Sequence, residues 1–96
     1  MDKNVPLLVT TEFKGVFFGY GCPLLPADRV VRLEKARMCV YWPREVKSVL
    51  GLAVTGPLPG SRIGPAVAAI TLPQVTSLIE VDEEAVKRFE VTTWCD

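Results

Sequence analysis

The sequence predicts a mainly β fold of the α+β class. It is a twisted antiparallel sheet, or such a sheet closed into a small barrel, with a short central helix and a C-terminal helix. Short runs rich in β-branched and aromatic residues are separated by glycine and proline, and only two segments have the apolar spacing of a helix. The 96 residues fit one domain, spanning residues 1–96.

The first predicted element is a hairpin. Two β-favouring runs, residues 7–12 and 16–20, flank a Lys-Gly turn signal at 14–15. Gly19 and Gly21 lie in or directly after the second run. Glycine inside a strand marks a bulge or a close approach of another chain segment. We therefore expect one or the other beside this strand.

Two more strand-like runs follow, residues 29–33 and 37–42. Successive side chains of a strand point to opposite sides of a sheet. In the second run one side would carry Met38, Val40 and Trp42, and the other Arg37, Cys39 and Tyr41. The pattern leaves open which side is buried.

A central helix is predicted after Pro43, a residue that is tolerated in a first helical turn. Val46, Val49, Leu50 and Ala53 have the i, i+3, i+4, i+7 spacing of an amphipathic helix. Gly51 weakens this helix by about 1 kcal/mol relative to alanine. The Gly-Pro pair at 56–57 ends it.

The second half of the chain reads as loop, strand and helix. Residues 55–65 are rich in glycine and proline and form a long structured loop. Residues 68–81 resume as strand, and Pro73 inside them implies an edge position or a bulge. Asp82 caps a helix over residues 83–90, with Ala85, Val86 and Phe89 as its apolar stripe. Trp94, in the tail, is expected to dock back onto the sheet.

Charge and composition exclude several functions. The chain has 11 basic and 11 acidic residues and no histidine. Ser-His and Cys-His nucleophile pairs are therefore impossible, and the acids fall where capping and solvation explain them. The sequence predicts no enzyme, no catalytic residue and no cofactor. A net charge of zero disfavours nucleic acid as a partner, although the basic segment 29–47 leaves it possible.

The cysteines indicate the cellular compartment, and the longest uncharged stretch indicates whether the chain crosses a membrane. Cys22, Cys39 and Cys95 are odd in number and widely spaced, which argues against a disulfide framework and a metal site. They fit the reducing cytoplasm. The uncharged stretch 63–79 contains two prolines and reads as loop plus buried strand, so no membrane span is predicted.

The loop 55–65 is the first candidate binding site. Its glycines let backbone N–H groups turn toward an anion, and a hydroxyl and a guanidinium add donors for phosphate or carboxylate. The residues proposed to bind are Thr55, Gly56, Ser61, Arg62 and Gly64. The alternative is that the loop only joins a helix to a strand.

An aromatic and basic platform is the second candidate. Tyr41 and Trp42 lie between Arg37 and Arg44, and such a platform suits a flat ligand such as a base. The alternative is a buried strand with Trp42 in the core. Together with the loop these residues form one predicted ligand site, with aromatics stacking a base and arginines holding phosphate.

Three segments of the first 45 residues carry a fold resemblance. They are VTTEFKGVFFGY (9–20), VVRL (30–33) and ARMCVYW (36–42). They resemble the opening strands of SH3-like and Sm-like barrels. The resemblance implies an SH3-like small barrel as the form of the sheet.

A second resemblance covers most of the chain. The hairpin segment 9–20 and ARMCVYW (36–42), together with LAVTGP (52–57) and RIGPAV (62–67), resemble a family of small uncharacterised bacteriophage and prophage proteins. That family has no assigned activity, so it transfers no functional residue. It implies a host-cell cytoplasmic accessory protein that binds a host component.

These observations together predict a non-enzymatic phage accessory protein. It would bind and inhibit a bacterial defence component, as an anti-CRISPR-like inhibitor of a protein or as a sponge for a small nucleotide messenger. The alternatives are a small-barrel nucleic-acid-binding module and a phage structural or assembly protein. A chain this short has a modest core, so a homo-oligomer is also expected.

Overall fold

The computed structural model describes residues 4–12 and 15–92, apart from the side chain of Glu45. In this part the strands are β1 (Val5–Thr11), β2 (Val16–Gly21), β3 (Val31–Tyr41), β4 (Arg62–Ile63), β5 (Val67–Leu72) and β6 (Val75–Glu80). The helices are α1 (Val49–Thr55) and α2 (Glu83–Val91), and a 3₁₀ turn (Arg44–Val46) precedes α1. The strand pairings found there are all antiparallel. The predicted mainly β, α+β class with a short central and a C-terminal helix is confirmed.

The strands pair in the order β4–β3–β2–β1–β6. β5 pairs with the first half of β3, and β4 pairs with its end. β5 and β6 follow each other in the chain, yet β5 lies against β3 and β6 lies against β1. β5 and β6 therefore lie at opposite edges of the sheet although they are neighbours in sequence.

Pro73 lies in a turn and not inside a strand. The prediction of one strand over residues 68–81, with the proline at an edge or a bulge, is wrong because two strands meet there. Gln74 has a positive φ of 54°, and its carbonyl oxygen accepts a hydrogen bond from the N–H of Glu12 at 3.0 Å. Proline has no N–H for a ladder and a φ suited to turns.

The predicted hairpin is confirmed as β1 and β2, which pair from Val5 with Gly21 to Thr10 with Val16. At its closed end the N–H of Gly15 donates to the Thr11 hydroxyl at 3.1 Å. Lys14, in the predicted turn signal, lies outside the described residues.

Gly19 lets β3 approach β2 closely. A Cβ on Gly19 would lie 2.9 Å from the Cβ of Leu33. The register between β2 and β3 also shifts between Phe18 and Tyr20, and Lys35 on the facing strand has a positive φ of 51°. The expectation of a bulge or a close approach is confirmed, since both occur here.

The predicted runs 29–33 and 37–42 are one strand, β3, with two irregularities. Before Lys35 the odd-numbered Val31 and Leu33 are buried and the residues between them are exposed. The irregularity at Lys35 changes this alternation, because one extra residue in a strand shifts which side chains share a face. After it, the even-numbered Ala36 is buried on the same side of the sheet as Val31 and Leu33, whereas Cys39 is buried on the opposite side.

A second register shift lies between Cys39 and Tyr41. It explains why Tyr41 is exposed whereas Trp42, the next residue, is half-buried against the core. The structure thus shows which side of the run 37–42 is buried, which the sequence did not determine. Met38 and Val40 lie on the exposed side.

Two hydrophobic cores lie on opposite faces of the sheet. The first core, under the helices, consists of Leu8, Val16, Phe18, Cys39, Val46, Leu52, Ala53, Ile63, Val81, Ala85 and Phe89. The second core consists of Leu7, Val9, Val31, Leu33, Ala36, Leu72 and Val75. Consecutive residues of β1 contribute to both, so the sheet is buried on both sides along this strand.

The central helix is shorter than predicted. The 3₁₀ turn is separated from α1 by Lys47, whose φ is 82°. This break changes the rotation of the helix, so Leu52 is buried and Leu50, a predicted member of the apolar stripe, is 65% exposed. The expected end at Gly56 is confirmed.

The C-terminal helix closely matches its prediction. Ala85 and Phe89 are its buried residues, and acids fill its first turn. Asp82 occupies the N-cap position without a side-chain hydrogen bond, so its predicted capping carboxylate makes no cap. Trp94 lies outside the described residues. None of the helices in residues 4–12 and 15–92 is long and apolar enough to cross a membrane.

Candidate functional site

Arg37, predicted as a phosphate ligand, is buried and bonded to the chain itself. Its side chain is 8% exposed. Nε donates to the carbonyl oxygen of Gly64 at 2.7 Å, and Nη1 donates to that of Phe89 at 2.6 Å. A longer contact of 3.5 Å joins Nη2 to the carbonyl of Ile63. Burial lowers the pKa of this guanidinium from its usual value. The geometry makes Arg37 a link between β3, β4 and α2.

Gly56 allows the two helices to meet. Its φ is 74°, and a Cβ there would lie 2.7 Å from the carbonyl oxygen of Ala85. Thr55 lies in the same contact, because its carbonyl oxygen accepts a hydrogen bond from Nη1 of Arg88 at 2.7 Å. These two predicted ligand residues therefore join α1 to α2.

The loop amides turn toward the protein. The N–H of Gly56 donates to Leu52, that of Ser61 to Leu58, and that of Gly64 to Met38, at 2.8, 3.0 and 2.8 Å. These are carbonyl acceptors within the fold, so these three amides are already engaged. The Ser61 hydroxyl is buried and has no hydrogen-bond partner among the described residues.

Tyr41 and Arg62 are brought together by the pairing of β3 with β4, where they stand directly opposite each other. Both are exposed. With Val40 and Gly60 they line an open depression of about 380 Å³. A Cβ on Gly60 would lie 3.7 Å from Pro43, so the loop lies against the segment that leads to the exposed Arg44.

We call the surface formed by Met38, Val40, Tyr41, Gly60 and Arg62 the Tyr41 face. Its three large apolar side chains, Met38, Val40 and Tyr41, are 47%, 60% and 53% exposed. The ion pairs among the described side chains are Arg32–Glu34 and Lys87–Glu84, so Arg62 has no carboxylate partner among them. Of the predicted ligand residues, Tyr41, Arg62 and the nearby Arg44 share this part of the surface.

A second depression, of about 260 Å³, was not predicted. Phe18, Tyr20, Lys35, Arg37, Ala66, Phe89 and Glu90 line it. The Tyr20 hydroxyl donates to Glu90 at 2.7 Å, 70 residues away in the chain. Burial, together with the hydrogen bond to Glu90 and its charge, raises the pKa of Tyr20 to about 12. No local sequence pattern signals a pair so far apart.

This second depression has balanced charges. Lys35 and Arg37 are opposed by the Glu90 carboxylate and by the carbonyl groups at the C-terminal end of α2, where the helix dipole is negative. A small anion would gain little electrostatic binding energy in this depression. The Tyr41 face, whose Arg62 has no carboxylate partner among the described side chains, has the clearer polarity.

The described part of the chain assembles no metal-binding cluster. No three His, Cys, Asp or Glu side chains there come close enough to hold a metal ion. Cys39 is buried, and desolvation raises the pKa of its thiol to about 12, which keeps it protonated at neutral pH. Neither observation points to a reactive group.

Comparisons with known proteins place the chain in one family. No curated protein and no solved structure matches it. A family model described as a domain of unknown function, DUF6948, matches residues 4–89, which is most of the chain. The protein is therefore a member of the DUF6948 family.

Proposed function

We propose that this protein is a non-enzymatic binding protein that docks a protein partner through the Tyr41 face. The observation that carries the proposal is the side-by-side exposure of Met38, Val40 and Tyr41 next to Arg62. Grouped exposed apolar side chains mark interaction surfaces, and tyrosine and arginine are among the residues that contribute most to binding energy.

The geometry favours a protein over a small nucleotide as the partner. A phosphate site needs several free donors that converge on one point. Here Arg37 and the amides of Gly56, Ser61 and Gly64 donate to carbonyl groups of the fold. What stays open is a broad, mostly apolar surface beside the exposed Arg62 and Arg44. A partner with an acidic side chain beside an apolar patch would complement it.

The proposed biological setting rests on the sequence resemblance. We propose that the partner is a bacterial defence component and that the protein is a phage accessory protein acting in the host cytoplasm. We also propose that the sheet has a partly closed, SH3-like form, because β5 and β6 lie at opposite edges of the sheet and are consecutive in the chain. A nucleotide messenger is the alternative ligand that the test below separates from a protein.

The test places a photo-crosslinking amino acid at Val40 and expresses the variant in bacteria. Val54, similarly exposed at 56% but on α1, is the control position. We expect a discrete crosslinked protein band from Val40 and none from Val54. The purified partner then allows affinity measurements, in which Tyr41→Ala and Arg62→Glu weaken binding about tenfold or more, equivalent to about 1.4 kcal/mol each.

Two variants serve as matched controls for these affinities. Leu50→Ala removes an apolar side chain and Lys87→Glu reverses a charge, both at exposed positions away from the Tyr41 face. Both are expected to bind like the wild type. Equal binding by the Tyr41 and Arg62 variants, or a nucleotide that co-purifies in place of any protein, contradicts the proposal.

A further inference from the structure

β5 and β6 each have one strand edge without a pairing partner in the described part of the chain. β5 forms its ladder with β3, and β6 forms its ladder with β1. The two strands do not pair with each other, although only two residues separate them. β5 thus presents a row of backbone groups that a further strand can bond, and so does β6 beyond Val75, whose N–H already donates to the carbonyl oxygen of Arg29 at 3.0 Å.

The β5 edge also lacks the residues that normally protect such an edge. Proteins block pairing of exposed edges with charged side chains, prolines or bulges. Residues 63–79 contain no charged residue, and β5 itself, VAAITL, contains no proline. Its pairing with β3 is regular from Leu72 opposite Val31 to Ala69 opposite Glu34. An unprotected, regular edge of this kind favours pairing.

We propose that β5 pairs edge to edge with β5 of a second copy of this chain, antiparallel about a two-fold axis. This inference is independent of the partner at the Tyr41 face. A two-fold contact uses the same strand on both copies and closes at a dimer. Paired residues must point to the same side of the sheet, so in the two registers that centre the contact on β5, Ala69 faces Ala69 or Thr71 of the second copy.

A second copy suits this edge better than a different strand. Self-pairing of VAAITL opposes no like charges because the strand has none, and a net charge of zero gives no long-range repulsion between copies. The edge of β6 is less suited, since it ends at the charged Glu80. Pairing of β5 with β6 of the next copy would also produce rings or open filaments.

The test introduces charges on one face of β5. In the double variant Ala69→Lys with Thr71→Lys, lysines oppose lysines in both possible registers. Within one chain these positions face Glu34 and Arg32, so one new contact is attractive and the other repulsive. A second double variant carries Ala69→Glu with Thr71→Glu. The control is Leu50→Lys with Val54→Lys, which adds the same charge on the exposed side of α1.

Sedimentation and light scattering measure the mass of each protein, and circular dichroism checks that each is folded. We expect the wild type and the α1 control at twice the 10.6 kDa chain mass, and both β5 variants as folded monomers. Mixing the lysine variant with the glutamate variant should restore the dimer. A monomeric or larger wild-type assembly, dimeric lysine variants, or folded variants that do not combine on mixing would each overturn the proposal.

Discussion

Arg37 holds the end of α2 through a hydrogen bond of 2.6 Å from its Nη1 to the carbonyl oxygen of Phe89. The last carbonyl groups of a helix have no partner within the helix, and the helix dipole is negative there. A cation at this position therefore bonds an otherwise unpaired acceptor. The same side chain also bonds Gly64, so it joins α2 to the segment after β4.

The first prediction concerns this link. Arg37→Met is expected to lower the free energy of unfolding by about 2–4 kcal/mol, because it leaves buried carbonyl groups without donors. Urea denaturation followed by circular dichroism measures the loss. Arg44→Met, at an exposed position, should change stability by less than about 0.5 kcal/mol. Equal midpoints for the two variants would show that the buried bonds contribute nothing.

Gly51→Ala tests whether tertiary contact overrides helix propensity. Propensity alone predicts a gain of about 1 kcal/mol on replacing a helical glycine with alanine. A Cβ at Gly51 would lie 1.8 Å from the carbonyl oxygen of Val46, so the fold has no room for it. We expect a loss of about 1–3 kcal/mol in chemical denaturation.

Gly64→Ala is the matched control for the glycine prediction. Its Cβ would have Met38 as its nearest neighbour at 3.6 Å, an ordinary contact distance. The expected change is small. A Gly51→Ala protein more stable than the wild type would contradict the close contact with Val46.

Stability is expected to fall in alkaline solution. The pKa of Cys39 is raised from 9.0 to about 12 by burial, and that of Tyr20 from 10.0 to about 12 by burial and Glu90. Both groups ionise more easily in the unfolded chain. Their contribution to the free energy of unfolding is therefore complete below about pH 9, and it is lost as the pH rises toward 12. Urea denaturation between pH 8 and pH 11 should show the decline.

Two variants assign that pH dependence. Tyr20→Phe and Cys39→Ala each remove one titrating group, so each should flatten the decline in its own pH range. Both variants also change packing, and the slope with pH is therefore the quantity to compare. Unchanged slopes in both variants would mean that other groups control the alkaline transition.

Thiol reactivity should separate the two cysteines of the described region. Cys22 is exposed, whereas Cys39 is buried with its pKa raised to about 12. In a chain carrying Cys95→Ser, an aromatic disulfide reagent at pH 8 should modify Cys22 quickly and Cys39 only after urea is added. Rapid modification of both thiols in the folded protein would indicate that the first core opens readily.

Elements with strong local periodicity were predicted well from the sequence. The β1–β2 hairpin follows from β-favouring runs on both sides of one turn signal, and α2 follows from its acidic first turn and its apolar stripe. Gly19 correctly marked the place where β3 approaches closely. In each case the signal lies within about ten neighbouring residues, so it does not depend on distant parts of the chain.

The candidate site was predicted only in part. Tyr41 and Arg62 were both singled out, but their cross-strand contact comes from the pairing of β4 with β3. Arg37 was grouped with them by sequence proximity, yet its hydrogen-bond acceptor Phe89 lies 52 residues away. A guanidinium looks the same in a sequence whether it binds a ligand or carbonyl groups of its own fold.

The sequence by itself determined where most of the strand and helix residues lie, because period-2 and period-3.6 patterns are local properties of the chain. Tertiary structure decided which face of β3 is buried and which arginines stay free. The shifts at Lys35 and between Cys39 and Tyr41 each change the alternation of side chains, and they depend on which strands pair with β3. Burial and hydrogen-bond partners arise only when distant segments meet, and these distinguish the structural Arg37 from the exposed Arg62.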